Sequence, residues 1–194
     1  AKEGDKEELD ETRCVLAMME NQDWNIGRVL QRLDDLKLRD NTIVIYFSDN
    51  GPNTFRWNGG MKGKKGTTDE GGVRSAFFMR WPAKLPKGHV VREIAGAIDI
   101  LPTLTALTGV ARVGDKPLDG RDLTPLLTNQ NGIWPDRMIF STWGGNVSVR
   151  TQQHRLDNTG ALFDMIADPE QTKPITEAKP EVKPDAKPEA KPVP

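Results

Sequence analysis

The chain is poor in the residues that build soft-metal and disulfide sites. Its 194 residues include one cysteine, Cys14, and two histidines, His89 and His154. A single cysteine forms no internal disulfide and excludes a multi-cysteine zinc cluster. Two histidines exclude a three-histidine zinc site. No run approaches the roughly 20 consecutive apolar residues that span a bilayer. Neither sign of charge is in excess: 27 Lys and Arg stand against 28 Asp and Glu, for a formal net charge of -1. No global positive field is left to neutralise phosphates, which argues against a dedicated nucleic-acid binder. An initiator Met and a signal-peptide pattern are also lacking. The chain opens Ala1-Lys2-Glu3-Gly4, and this start reads as a cut rather than a native beginning.

What is present is a globular composition followed by a tail. Apolar residues make up 36% and there are 18 glycines, which together reach the lower edge of the globular range. Residues 173–194 hold five Lys-Pro pairs, the last four each preceded by an acid. Proline removes backbone donors and the alternating charges favour solvation, so this tail is expected to be extended and disordered.

Residues 1–40 read as helix, with Leu16, Met19, Ile26, Leu30 and Leu33 on one stripe and a break allowed near residues 21–25. Residues 42–47 form a continuous apolar, β-branched run, the pattern of a parallel strand buried on both faces of an α/β sheet. Residues 76–81 are a second strand, stopped by Pro82. Residues 99–107 read as a helix with Asp99 as N-cap and Gly109 just past its end. Beyond about residue 110 the texture changes to short strands at 138–142, 146–150 and 161–165, expected to form a small antiparallel sheet. The expected fold class is α/β: the end of a larger α/β core over residues 1–110, then a small antiparallel subdomain over 111–172, and the tail over 173–194. A strand buried on both faces needs neighbours, and this chain supplies too few parallel strands. The fold is therefore read as incomplete as given.

Chemistry concentrates in residues 48–72. This stretch begins where the first strand ends, the place where open α/β sheets bind ligands, and it carries seven glycines. At its start Asp49 and Asn50 present a carboxylate and an amide oxygen, hard donors that suit Ca²⁺ or Mg²⁺. Asp-Asn-Gly is also ordinary turn chemistry. Lys62, Lys64 and Lys65 can meet an anion or form a solvated basic loop. A phosphate-binding Walker A loop is excluded, because Gly63 is followed by two lysines. Cys14 reads as an inert packed thiol, and His89 and His154 as surface-loop residues.

The order of several segments resembles the formylglycine-dependent sulfatases of the arylsulfatase type. The resemblance rests on Ser48-Asp49-Asn50-Gly51-Pro52, Lys65-Gly66-Thr67-Thr68-Asp69-Glu70-Gly71-Gly72-Val73-Arg74, Asp99-Ile100-Leu101-Pro102-Thr103-Leu104, Leu118-Asp119-Gly120-Arg121-Asp122-Leu123 and Leu162-Phe163-Asp164-Met165. It covers roughly residues 12 to 175 and implies an alkaline-phosphatase-like α/β core. It also implies that Asp49 and Asn50 are ligands of a divalent metal, Ca²⁺ with Mg²⁺ as the alternative, and that Lys65 contacts the sulfate.

The family's formylglycine arises from a Cys or Ser in a Cys/Ser-x-Pro/Ala-x-Arg motif, and no such motif occurs here. The nucleophile and the remaining metal ligands are thus expected on a preceding half. The expectation is a C-terminal portion of a sulfuric-ester hydrolase acting on carbohydrate or aryl sulfates, inactive alone and exported in its full form. Two alternatives stay open. One is a piece of a phosphohydrolase or phosphotransferase of the alkaline phosphatase superfamily; the other is a non-catalytic binding module of the same fold.

Overall fold

A computed structural model describes residues 3–55, 58–130 and 133–175. The element order is α1 (Glu3–Asp35), β1 (Val44–Phe47), α2 (Glu70–Val73), β2 (Phe77–Arg80), α3 (Ile100–Thr108), α4 (Thr124–Leu127), β3 (Ile139–Trp143), β4 (Asn146–Arg150), β5 (His154–Leu156) and β6 (Leu162–Asp164). Trp57 and the tail residues 176–194 lie outside the described residues.

Helix α1 runs without the break allowed for near residues 21–25. Asn25 Nδ2 donates to the Asn21 carbonyl at 2.8 Å, so the polar pair is satisfied on the helix surface and has no need to interrupt it. The helix stops where Lys37 takes a left-handed φ of 56°. Lys37 N then donates to Asp34 O, and Leu38 N to Leu33 O, the paired bonds of a Schellman ending. The expected apolar stripe divides in two. Ile26, Leu30 and Leu33 are half-buried, whereas Leu16 and Met19 face solvent. Cys14 is exposed rather than packed, because nothing in the described residues covers the first half of the helix.

The first strand departs most from expectation. β1 pairs antiparallel with β2, Val44 opposite Arg80 and Phe47 opposite Phe77, in a sheet of two strands. It is not buried on both faces: Val44, Ile45 and Tyr46 are half-buried and Phe47 is exposed. Among the described residues β2 is its one strand neighbour. Helix α1 reaches this pair through the Tyr46 hydroxyl, which donates to Gln22 Oε1 at 3.1 Å, and through Arg80, 4.0 Å from Asp34.

Helix α3 ends as expected, with Gly109 left-handed at φ 72°. Asp99 occupies the N-cap position, but its carboxylate does not cap the helix. It is fully buried and accepts from Gly96 N at 2.8 Å, Arg121 N at 2.7 Å and the Arg137 guanidinium at 2.7 Å. One carboxylate thus ties together the turn before α3, the 118–123 segment and the approach to β3. A buried charge so placed needs all of these partners to offset its desolvation.

The C-terminal part is the expected small antiparallel sheet, with strand order β3-β4-β5-β6. The sequence reading passed over β5, and His154 accordingly sits half-buried in a strand rather than in an exposed turn. The β3–β4 hairpin turns on Gly144 and Gly145, both at positive φ, which a two-residue type I′ turn requires. Below the sheet, Ile175 N donates to Leu162 O at 2.7 Å. Residues 173–175, assigned to the tail from sequence, are therefore held against β6.

Candidate functional site

The end of β1 and the glycine-rich loop are joined through their backbones. Gly51 N donates to Gly72 O at 3.0 Å, and Lys65 N donates to Pro52 O at 2.9 Å. The Ser75 hydroxyl donates to Ser48 O at 2.6 Å. These bonds fold residues 48–72 back on themselves, so that the Asp49-Asn50 turn and Lys65 sit on adjoining strands of loop. Gly51 is required for this approach, since a Cβ there would collide with the Gly71 carbonyl. Asp49 is exposed and Asn50 half-buried. Asn50 Nδ2 donates to Gly51 O at 2.8 Å, which fixes the amide; its oxygen accepts from no group among the described residues.

The three lysines separate by environment. Lys62 Nζ lies 3.1 Å from Asp157 and 3.3 Å from Asp69, and over the Phe163 ring at 5.3 Å. Burial alone would lower its pKa, but the Asp157 hydrogen bond and the Asp69 charge outweigh that and hold it above the ordinary lysine value. Lys64 lies over the Phe55 ring at 4.7 Å. Lys65 is exposed and its ammonium has no partner among the described residues. Two of the three cations are thus bound into the structure, and the third is available to an external anion.

Residues that the sequence reading did not single out hold this loop. Glu70 is buried and accepts from Arg155 at 2.7 Å. Arg150 lies 3.4 Å away and Arg74 3.5 Å. Arg155 also donates to Thr68 O at 2.8 Å, as does the Ser148 hydroxyl at 2.7 Å. Gln171 Oε1 accepts from Glu70 N at 2.9 Å. The four-stranded sheet therefore clamps the loop at Thr68 and Glu70, three and five residues after Lys65.

Hard oxygen donors suit a divalent ion, and the exposed Asp49 carboxylate with the fixed Asn50 amide fits two positions of such a site. Among the described residues no group of three or more His, Cys, Asp or Glu could hold a metal. The pair is at most part of a coordination shell.

A family model described as Sulfatase matches residues 1–110. The chain belongs to the sulfatase family. It is 43% identical to the steryl-sulfatase of Mus musculus over 119 residues, 56% of this chain and 19% of that protein. It is 38% identical to the arylsulfatase A of Homo sapiens over 161 residues, 76% of this chain and 31% of that protein. The sulfatase chain thus spans less than a third of the length of these two relatives. Among solved structures it is similar to Ps i-CgsB in complex with k-i-k-neocarrahexaose, with a TM-score of 0.68 and 26% identity, over 79% of this chain and 36% of that one. A structure from work on glycosaminoglycan metabolism by Bacteroides thetaiotaomicron gives a TM-score of 0.67 and 26% identity, over 79% and 38%. The mixed α/β fold with its small antiparallel sheet is therefore that of a partial sulfatase.

Proposed function

We propose that this chain is the C-terminal portion of a sulfuric-ester hydrolase and carries part of its metal and sulfate site. In this reading Asp49 and Asn50 are ligands of Ca²⁺, with Mg²⁺ as the alternative, and Lys65 contacts the sulfate or the leaving oxygen. The observation that carries it is the pair of backbone bonds, Gly51 N to Gly72 O and Lys65 N to Pro52 O. They join the hard-oxygen turn to Lys65, the one lysine of that loop whose ammonium has no partner among the described residues. Family membership and the two solved neighbours support the same reading.

The chemistry follows from charge. A sulfate ester is an anion whose negative charge moves to the leaving oxygen as the S–O bond breaks. A bound divalent cation supplies Lewis-acid stabilisation of that charge. The Lys65 ammonium stabilises it from a fixed backbone position, so little reorganisation is needed at the moment of reaction. The nucleophile is a separate matter. No Cys/Ser-x-Pro/Ala-x-Arg motif occurs in the chain, so it hydrolyses no sulfate ester by itself, since covalent catalysis needs that group. We place the substrate among carbohydrate or aryl sulfates and the full protein outside the cytoplasm. No helix among the described residues is long and apolar enough to cross a membrane.

Calorimetric titration of Ca²⁺ into the full sulfatase that carries this chain tests the metal assignment. Asp49→Ala weakens Ca²⁺ binding more than about tenfold, because a methyl replaces a charged ligand. Unchanged affinity in the variant removes Asp49 from the site.

A further inference from the structure

An exposed tryptophan stands beside the Lys65 loop. Gly66, adjacent to Lys65, adopts φ +84°, and a Cβ built there would lie 3.5 Å from Trp143 Nε1 and 4.0 Å from its Cδ1. Trp143 closes β3 and pairs directly with Asn146 across the two-glycine turn. Its hairpin and the neighbouring β5 are fixed on the loop by the buried Ser148 and Arg155 bonds to Thr68 O, two residues beyond Gly66. Yet the indole itself is 64% exposed, and its N–H donates to no group among the described residues. The ring stands beside the residue read as the sulfate contact, where the rest of a sulfate ester must lie, and an aromatic face there can pack on that part of the substrate.

The surroundings say what that part is. Asn158 Nδ2 donates to Asn146 Oδ1 at 3.2 Å, so two exposed amides lie at the same end of the hairpin as the ring. A sugar presents C–H faces that pack on an aromatic plane and hydroxyls at its rim that seek amides. A flat aryl group would use the ring and leave the amides idle. The indole has only two side-chain torsions, so ordering it costs little entropy.

We propose that Trp143 is the platform for the sugar ring of a sulfated carbohydrate, with Asn146 and Asn158 serving its hydroxyls while Lys65 meets the sulfate. The proposal rests on the reading of Lys65 as the sulfate contact and adds the leaving-group subsite to it. Specificity for the sugar then comes from the C-terminal sheet, and recognition of sulfate from the loop.

The test is an NMR titration of the full sulfatase that carries this chain, its nucleophile replaced by Ala so that the esters persist, following the Trp143 indole N–H, with three probes: galactose 6-sulfate, 4-nitrophenyl sulfate and inorganic sulfate. Galactose 6-sulfate is expected to shift the Trp143 signal. Trp143→Ala weakens its binding about five- to tenfold and Trp143→Phe less than about threefold, since a phenyl ring retains most of the stacking face. Neither change alters the affinity for inorganic sulfate. The ring is exposed, so both variants keep the rest of the spectrum. An unshifted indole signal, or galactose 6-sulfate bound equally by Trp143→Ala, overturns the platform. Preferential loss of 4-nitrophenyl sulfate in Trp143→Ala overturns the sugar in favour of an aryl group. The lysine reading fails separately, if Lys65→Ala binds inorganic sulfate as the unaltered chain does.

Discussion

In the C-terminal half and the lysine loop, charges close on one another: Glu70 on Arg155, Asp99 on Arg137, Asp157 on Lys62. Along α1 and the β1–β2 pair the arrangement is reversed, and Leu16, Met19, Phe47, Phe77 and Phe78 face solvent. The first region satisfies its buried charges within the chain, although Phe140, Trp143 and Val147 of its sheet also face solvent. The second offers apolar surface and an incomplete sheet, as expected of one part of a larger α/β core. The difference separates two kinds of work. The C-terminal region fixes the loop geometry, while the N-terminal region presents Asp49 and Asn50 at the end of a strand with one strand neighbour among the described residues.

Glu70→Ala sharpens this contrast most. It leaves the buried Arg155 and the half-buried Arg150 without their acid, and removing one member of a buried pair costs about 3–5 kcal/mol. Chemical denaturation is expected to show that loss; a change under about 1 kcal/mol would mean that the clamp contributes little. Gly51→Ala follows. Its Cβ meets the Gly71 carbonyl, so the loop must shift, at a cost of about 1–3 kcal/mol, and amide hydrogen exchange at Lys65 should speed up. Unchanged protection at Lys65 would show that the close approach does not hold the loop.

Asp157→Asn has a smaller, pH-dependent effect. Burial pushes the Asp157 carboxyl up, but bonds from Thr159, Lys62 and Ala161 outweigh it and hold its pKa below the ordinary 3.8. A depressed acid adds stability that is present above its unfolded pKa and lost as pH falls through the folded one. The unaltered chain is expected to be more stable than the variant by about 1–2 kcal/mol at neutral pH. The gap should close as pH falls below about 4. A gap independent of pH would assign the effect to packing. At the other end of the scale, Leu16→Ala on the exposed half of α1 is expected to change stability by less than about 0.5 kcal/mol. A loss near 2 kcal/mol would mean that this face is covered.

The same contrast explains what the sequence disclosed. Helix α1, the strand at β1, helix α3 with Gly109 and most of the C-terminal sheet were legible because each carries its own local pattern: a stripe, an apolar run, a capping glycine, turn residues between short strands. The pairing of β1 was not, because an apolar run reports a tendency to be buried and not which strand lies beside it. The Lys65 loop was legible as a glycine-rich stretch at a strand end. Its clamp was not, because Glu70 and Arg155 are 85 residues apart and neither carries a local signature of pairing. The exposed Cys14 likewise follows from an uncovered helix face, which periodicity alone cannot distinguish from a packed one.

The central claim is that Lys65, and not the basic loop in general, meets the sulfate. Steady-state kinetics of Lys65→Ala in the full sulfatase test it most directly, with Lys64→Ala as the control. Lys62 is unsuitable as a control because its ammonium is bound to Asp157 and Asp69. If Lys65 stabilises charge on the leaving oxygen, kcat falls by about 10²–10³ with a smaller change in KM, and Lys64→Ala stays within about threefold. Small and equal losses in the two variants, both fading with added salt, would show that the loop only steers the anion and would contradict the account.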